Sequence, residues 1–591
     1  MQSQTVKLGV TLSHLAGMLL CSLFIAWSLI LEDGALIYTL ADDAMISMTY
    51  ARTLAETGEF IWYPGAEKVQ GITNILWALV MALIHWVGLA GSMATIAMSI
   101  IGAIIVFLTA HISGLVARDM LPSDGDSKVL ARVMAQSLVY LSYPIVFWTL
   151  RGYEVGLISL LTVSLVRVLQ SQSESLLSKV GPTVALLVAI GIFSRLDFFV
   201  ISLSLFLAAF AYSLTIQDGA TMKLALIGIG ATFLSISFVL LFQSMTWGDL
   251  LPNTYYLKAT GEDLTTRIAR GFLGTLKSIP VLLMAGYACA QLWRLERNSI
   301  TRLTTLALAA TSLGLSAYSI YVGGDVWEDF LFANRYVTPI LPLVAISLAA
   351  LSQALVSRNS IGQTIFRLLP VLVLSATFTG VTTNNESSVA RMIVLPIVVG
   401  SAFLLPSLFS VVRKNSKLGR ERAMAYVSLP VAFFLLTSSS GLASALYFGK
   451  PQGVSTELVM IQNGRDIASA TTPEATVLVA WAGIPVYFSQ RPAFDLLGKN
   501  DRRIASLDPP EPIPGTWNEK FVPGHNKWSF DISVVESRPD LIFQFMDHPG
   551  ERFQLQNLGY LRACLQNTGY EVWYLGASTE IVTSNLVPCA N

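Results

Sequence analysis

The run VALLVAIGIFSRLDFFVISLSLFLAAFAYSL, Val184 to Leu214, decides the fold. It is apolar except where Ser194, Arg195 and Asp197 interrupt it. One continuous membrane span through this run would put an arginine and a carboxylate in hydrocarbon, which is costly for both charges. Two shorter helices meeting at the polar break keep the charges in a hydrated cavity or a protein interior. The reading is therefore a helix pair with a charged turn between its members.

Composition extends this outward. The chain has 591 residues, 53% of them hydrophobic and 13% charged, and a mean hydropathy of +0.60. These values exclude an ordinary soluble globule and predict a polytopic α-helical membrane protein. The formal net charge is +0, and nothing in it points to a nucleic-acid partner. Leu8–Leu31 is expected to be an uncleaved first span, because it is longer than a secretory h-region and no small-residue cleavage site follows. Further spans are predicted at Met93–Val116, Val133–Leu150, Gly156–Leu169, Met222–Phe242, Phe272–Leu292, Leu303–Val322, Tyr336–Leu355, Ile365–Phe378, Met392–Leu408 and Ala425–Phe448. With the split run counted as two, the total is about 13 spans.

Lys and Arg mark cytoplasmic loops. RLERNSITR (Arg294–Arg302) and RKNSKLGRER (Arg413–Arg422) are strongly basic, and SRNSIGQTIFR (Ser357–Arg367) moderately so. An even number of spans separates each from the next, so all three fall on one side. The loops around Asp42–Asp43, Arg151–Glu154, Arg195–Asp197, Trp247–Lys258 and Gly323–Tyr336 then share the opposite side with everything after Phe448. This parity needs Ile72–Gly88 to be a juxtamembrane helix. If it crosses, Val184–Leu214 must be one span. The expected location is the bacterial inner (plasma) membrane, with these loops outside the cytoplasm.

Residues 1–448 read as the membrane domain and 449–591 as a soluble α/β or α+β domain. In the latter, ATVLVAWAGIPVYFS (475–489), RPDLIFQFM (538–546) and GYEVWYL (569–575) are predicted strands bounded by turn residues. Cys21 and Cys289 lie in apolar spans, while Cys564 and Cys589 lie in the tail. An oxidising compartment would allow a disulfide there, and two free thiols are the other option.

The far-side loops carry Asp42, Asp43, Arg151, Glu154, Arg195, Asp197, Asp249, Asn253, Tyr255, Lys258, Asp325, Glu328, Asp329, Asn334 and Arg335. Any one of them reads equally well as a solvated loop residue. As a set at span ends they suit a phosphorylated lipid headgroup and a water-exposed acceptor. Arg and Lys hold phosphate, and a carboxylate removes a proton from an attacking hydroxyl. Asp42 and Asp43 are the candidate catalytic pair, with Asp43 favoured as base and Asp42 as N-cap of the following helix. Adjacent carboxylates also suit a divalent cation, Mg or Mn, through oxygen ligands. Trp77 reads as an interfacial anchor, and Trp62 and Tyr63 as either anchors or sugar-stacking rings.

The stretch DDAMISMTYARTLAETGEFIWYPGAEKVQGITNILW (42–77) resembles the first exoplasmic loop of GT-C-type glycosyltransferases, closest to the branch of the mycobacterial terminal arabinofuranosyltransferases. The resemblance continues in FWTLRGYEVGL, FSRLDFF, LLPNTYYLK, YVGGDVWEDFLFANRYVTPILPL, WAGIPVYFSQRPAFDLLGKND and PGHNKW, in order along most of the chain. It implies an inverting transferase that uses a polyprenyl-phosphate-sugar donor and an envelope glycan or glycolipid acceptor. It also implies Asp42 or Asp43 as base, and Arg195, Lys258 and Arg335 on the lipid phosphate. Glu154, Asn253, Tyr255 and Asp325 would line the sugar pocket, and the tail would bind the acceptor. Thr49, Gln70, Ile72 and Tyr153 depart from the branch pattern near the expected pocket, so arabinose is not carried over. The rival readings are a transporter or flippase of a lipid-linked sugar, a lipid A aminosugar transferase of the same superfamily, and a non-catalytic envelope scaffold. Against transport, no inverted repeat is apparent and the polar motifs gather on one face.

Overall fold

The computed structural model describes residues 2–32, 34–121, 126–171, 177–276, 278–326, 334–356, 450–451, 453–510, 521–546 and 550–589. The spans predicted at 365–378, 392–408 and 425–448, the basic stretches at 357–367 and 413–422, Glu328, Asp329 and the 448/449 boundary lie outside those residues. The helices are α1 (Gln2–Ser28), α2 (Asp42–Thr57), α3 (Ile75–Trp86), α4 (Gly91–Asp119), α5 (Asp126–Leu141), α6 (Tyr143–Leu150), α7 (Val155–Gln170), α8 (Leu177–Ser194), α9 (Phe198–Ile216), α10 (Gly219–Trp247), α11 (Asn253–Ala259), α12 (Leu264–Leu276), α13 (Ile279–Leu295), α14 (Ser299–Tyr321) and α15 (Leu341–Val356). In the tail they are α16 (Val454–Ala470), α17 (Ile484–Ser489), α18 (Arg502–Ala505) and α19 (Glu551–Asn557).

This is a multi-pass membrane fold. Among the described residues five helices are long and apolar enough to cross a membrane: α1 from Leu8, α4, α9, α10 and α14. The number is 7 if two bent pairs each count as one span. Two of the predicted spans are in fact broken. Val133–Leu150 bends by 56° between α5 and α6, and Phe272–Leu292 falls in a pair bent by 72°. Each second helix carries a proline in its first turn, Pro144 and Pro280. Proline has no backbone N–H to continue a preceding helix, so it is tolerated in a first turn and breaks a helix that would run through it. The first span also ends early, at Ser28, and Ile30–Glu32 (β1) pairs antiparallel with Ala35–Ile37 (β2).

The polar break at Arg195 holds. α8 ends at Ser194, α9 begins at Phe198, and Arg195 and Asp197 lie in the turn. A Cβ on Gly191 would collide with the ring of Phe198, so that glycine lets α9 start tightly against α8. α3 has 12 residues, about 18 Å at 1.5 Å per residue, too short to cross.

α2 is the keystone of the first loop. It stops at Gly58, whose φ of 78° lets its N–H cap Leu54. Nearly all of its first three turns are buried, on both faces, because α3 packs beneath it and α17 of the tail above. Met45, Met48 and Tyr50 are fully buried, each worth about 1.5–3 kcal/mol of apolar burial.

The tail carries a six-stranded mixed sheet built from β3 (Val477–Val479), β4 (Ala493–Asp495), β5 (Leu541–Ile542), β6 (Tyr560–Leu565), β7 (Glu571–Leu575) and β8 (Leu586–Val587). Its strand order is β4-β3-β5-β7-β6-β8. β3 is parallel to both neighbours, and the remaining pairs are antiparallel. Leu478, Trp528, Ile542, Tyr560 and Trp573 share its core. The predicted strand over 475–489 is only half strand. After β3 the chain turns at Gly483, and Pro485 sits in the first turn of α17. Cys564 and Cys589 form a disulfide that ties β6 to the chain beyond β8.

Candidate active site

The first loop, the polar turn and the tail meet around a cavity of about 400 Å³. Asp43, Glu154, Arg195, Tyr255, Lys258 and Arg335 all line it. Asp42, Asn253 and Asp325 stand behind the wall instead of in it. Asn253 opens α11, receives the tail through Gly498 O at 3.4 Å, and donates its own N–H to Gln70 O at 3.0 Å. Asp325 holds Arg335 from behind.

Asp42 and Asp43 are adjacent in the chain and point to different partners. Asp42 is not the N-cap of α2. Ala41 occupies that position in an extended conformation, and Asp42 is the first helical residue. Its Oδ1 instead accepts the Ile484 N–H of the tail at 2.7 Å. A Cβ on Gly483 would collide with the Asp42 backbone oxygen, so the glycine is what lets the tail come this close. Burial pushes the Asp42 carboxyl up to about 7, against the opposing pull of the Ile484 N–H and Lys499. Asp43 faces the cavity. Its Oδ1 accepts from Lys499 Nζ at 2.6 Å and its Oδ2 from Arg335 Nη1 at 3.0 Å. Burial alone would raise its pKa, but Lys499 and Arg335 together outweigh burial and hold it well below the usual carboxylate range.

The two arginines are engaged by carboxylates at every nitrogen. Arg335 grips Asp325 through Nε at 2.7 Å and Nη2 at 2.8 Å, while Nη1 reaches Asp43. Its guanidinium lies 5.0 Å from the Tyr153 ring centroid and 5.8 Å from that of Trp148. Arg195 grips Asp197 through Nε at 2.7 Å and Nη2 at 2.6 Å, and Nη1 reaches Glu154 at 3.1 Å. The other oxygen of Glu154 accepts from Asn74 Nδ2 at 3.1 Å, and Asn74 Oδ1 accepts from Ser47 at 2.8 Å. This chain joins α2, α7 and the polar turn.

The lysines are held differently. Lys258 Nζ donates to the Tyr336 hydroxyl at 2.9 Å, and its charge helps hold the Asp325 carboxyl down. Lys499 comes from the tail and pairs with Asp43. His525, also from the tail, lines the cavity with Nδ1 at 3.2 Å from Pro523 O. Burial, helped by Lys499, pushes its imidazole down to about 4, so it is neutral at pH 7.

Lys499 and His525 were not among the predicted site residues. Both stand in stretches that carried the resemblance, LLGKND and PGHNKW. The resemblance assigns the tail to the acceptor, and nothing local in its sequence points to Asp43. Tyr336 and Asn74 were likewise missed as neighbours of charged residues.

The acidic pair does not suit Mg or Mn. Both oxygens of Asp43 already face cations, and Asp42 faces a backbone N–H. Among the described residues no three His, Cys, Asp or Glu side chains gather as a metal site.

Comparison with known proteins identifies the architecture. The fold is similar to that of ArnT from Cupriavidus metallidurans in its undecaprenyl phosphate complex. The TM-score is 0.51 at 13% identity, over 84% of this chain and 86% of that one. The apo oligosaccharyltransferase of Archaeoglobus fulgidus aligns at a TM-score of 0.47 and 10% identity, over 98% of this chain and 75% of that one. The chain thus has the GT-C-like polytopic fold with a sheet-containing C-terminal region. A family model described as a domain of unknown function (DUF8728) matches residues 452–583. No curated protein matches the sequence.

Proposed function

We propose that the protein is an inverting glycosyltransferase. It moves a sugar from a polyprenyl-phosphate donor to an envelope glycan or glycolipid, outside the cytoplasm. One observation carries the reading. A carboxylate, Asp43, faces Lys258, Lys499 and the arginine pairs across a single cavity where the membrane helices meet the tail. That is the charge layout required by an anionic leaving group and a hydroxyl nucleophile.

In the proposed step the acceptor hydroxyl oxygen attacks the anomeric carbon of the donor. The bond from that carbon to the phosphate oxygen breaks, and its electron pair leaves with the polyprenyl phosphate. Asp43 takes the hydroxyl proton. Its low pKa keeps it ionised before the step, and the shift of positive charge toward the leaving phosphate raises its basicity during it. Lys258 offers spare donors to the phosphate. Arg195 and Arg335 hold Glu154, Asp197 and Asp325 in place and add positive field. Glu154, Tyr255 and Tyr153 border the sugar, with Asn253 and Asp325 as supports. Membrane lipid surrounds α4, α9, α10 and α14, and the polyprenyl chain would approach between such helices. The basic stretch at 294–302 supports a cytoplasmic location for the turn between α13 and α14, and within the fold the first-loop motifs favour the terminal arabinofuranosyltransferase-like branch without fixing the sugar.

The test is mass spectrometry of envelope polysaccharides and glycolipids with and without the protein, joined to purified protein supplied with polyprenyl-phosphate sugars. The expected result is a missing terminal sugar in cells and released polyprenyl phosphate in vitro. Unaltered envelope glycans together with no release from any donor would sink the proposal.

A further inference from the structure

Lys499 is the charged contact between the tail and the proposed base, and the loop that carries it is built to hold its backbone still. The Asp495 carboxylate accepts from Leu497 N at 3.0 Å, from Asn500 N at 2.9 Å and from Asn500 Nδ2 at 2.9 Å. Asn500 Oδ1 in turn accepts from the Tyr50 hydroxyl of α2 at 3.0 Å. Gly498, with a φ of 75°, makes the turn and offers its carbonyl to Asn253. The loop is thereby clipped to α2 and to the start of α11. Among the described residues the Lys499 side chain is held through its ammonium, on Asp43.

The other cation on Asp43 is held at more points. Arg335 is forked onto Asp325 and packed against Tyr153. The tail turn at Gly524 lies beside Lys258, where a Cβ would come within 3.3 Å of Lys258 Cε. The two lysines line the same cavity, one from α11 and one from the tail, and among the described residues each ammonium makes one hydrogen bond of the three it can donate.

We infer that Lys499 serves two anions in turn. It neutralises Asp43 until the donor phosphate arrives beside Lys258, then transfers its contact to that phosphate and leaves Asp43 to the acceptor hydroxyl. This rests on the glycosyltransferase reading above. A compact ammonium on a flexible stem can exchange partners in a way that a bidentate guanidinium cannot. The tail is then part of the catalytic centre, and donor binding itself arms the base. The groups that face Asp43 are Lys499, Arg335, Asp42, Asp325, Tyr153 and His525. Of these, Lys499 is a cation held by one carboxylate among the described residues, where Arg335 is held by two.

The experiment uses the purified full chain and polyprenyl phosphate without sugar, measuring its affinity and separately the pH dependence of kcat/KM. Lys499→Gln should weaken polyprenyl phosphate by about tenfold or more. It should also move the acid limb of the pH profile upward, since loss of a cation raises the pKa of the base. Lys499→Arg, a fold control, should return the limb toward the wild-type position but recover little of the affinity, because a guanidinium forked onto Asp43 does not exchange. Asp43→Asn should bind polyprenyl phosphate more tightly than wild type, because the competing anion is gone. Unchanged affinity in Lys499→Gln, or weaker binding in Asp43→Asn, would overturn the exchange while leaving the transferase reading intact. Failure of the wild-type chain to bind polyprenyl phosphate at all would instead remove the reading beneath it.

Discussion

The two walls of the cavity are built from different cations, and the difference is instructive. On the membrane wall, Arg195 and Arg335 are each tied to two carboxylates, with side chains 7% and 15% exposed. On the wall toward the tail, Lys258 and Lys499 hold a phenol and a single carboxylate. A buried guanidinium with three of its nitrogens committed is a structural part. Removing it strands the carboxylates, while its own capacity for a new anion is small. A lysine with spare donors can receive a phosphate without dismantling its surroundings. The scaffold and the working contacts are thus separated by residue type.

Three substitutions sharpen or break this division. The largest effect is expected for Asp43→Asn, which keeps shape and loses the proton acceptor. Turnover should fall by about 10²–10⁴ in protein that still folds and reaches the membrane. Near-normal turnover, measured as released polyprenyl phosphate, would take catalysis away from α2. Next is Arg195→Met. It leaves Glu154 and Asp197 buried without their cation, and loss of one partner from such a set costs about 3–5 kcal/mol. The expected outcome is a large drop in the thermal stability of detergent-purified protein, with Arg195→Lys intermediate. A stable Arg195→Met with weakened donor binding would mean that this arginine belongs with the lysines.

The smallest effect concerns Asp42, the neighbour that faces away. Its folded pKa is raised from 3.8 to about 7. Between those values the folded state holds more proton than the unfolded one. Stability should therefore fall as pH rises from about 4 to 7 and level off above. Asp42→Asn keeps an acceptor for the Ile484 N–H and has nothing to ionise. It should abolish that slope and be the more stable protein at pH 8. A slope unchanged in Asp42→Asn would place the titration elsewhere.

Much of the architecture was legible. Hydropathy located most of the long helices, and the paired charges at 195 and 197 located the break, because hydrocarbon tolerates no cheap alternative. The acidic pair, the polar turn, Lys258 and Arg335 do converge. Other points were not legible. The bends before Pro144 and Pro280 fell inside runs whose hydropathy is continuous, and averaging over a window hides them. The strand–helix switch at Gly483 depends on α2 lying against that turn. The sequence makes Asp42 a local cap because local capping is the default for an acid at a helix start. Its actual partner lies 442 positions away.

The sequence by itself determined that the chain enters a membrane many times and collects its charges near span ends. Both follow from the transfer free energy of each residue, a property that needs no partner. Only the tertiary structure decided which charges meet. It sent Asp42 to the tail and Asp43 to the cavity, saturated the arginines, left Lys258 with a phenol, and brought Lys499 to the base. Ion pairing falls off within a few ångströms, and chain separation has no bearing on it once the fold has closed.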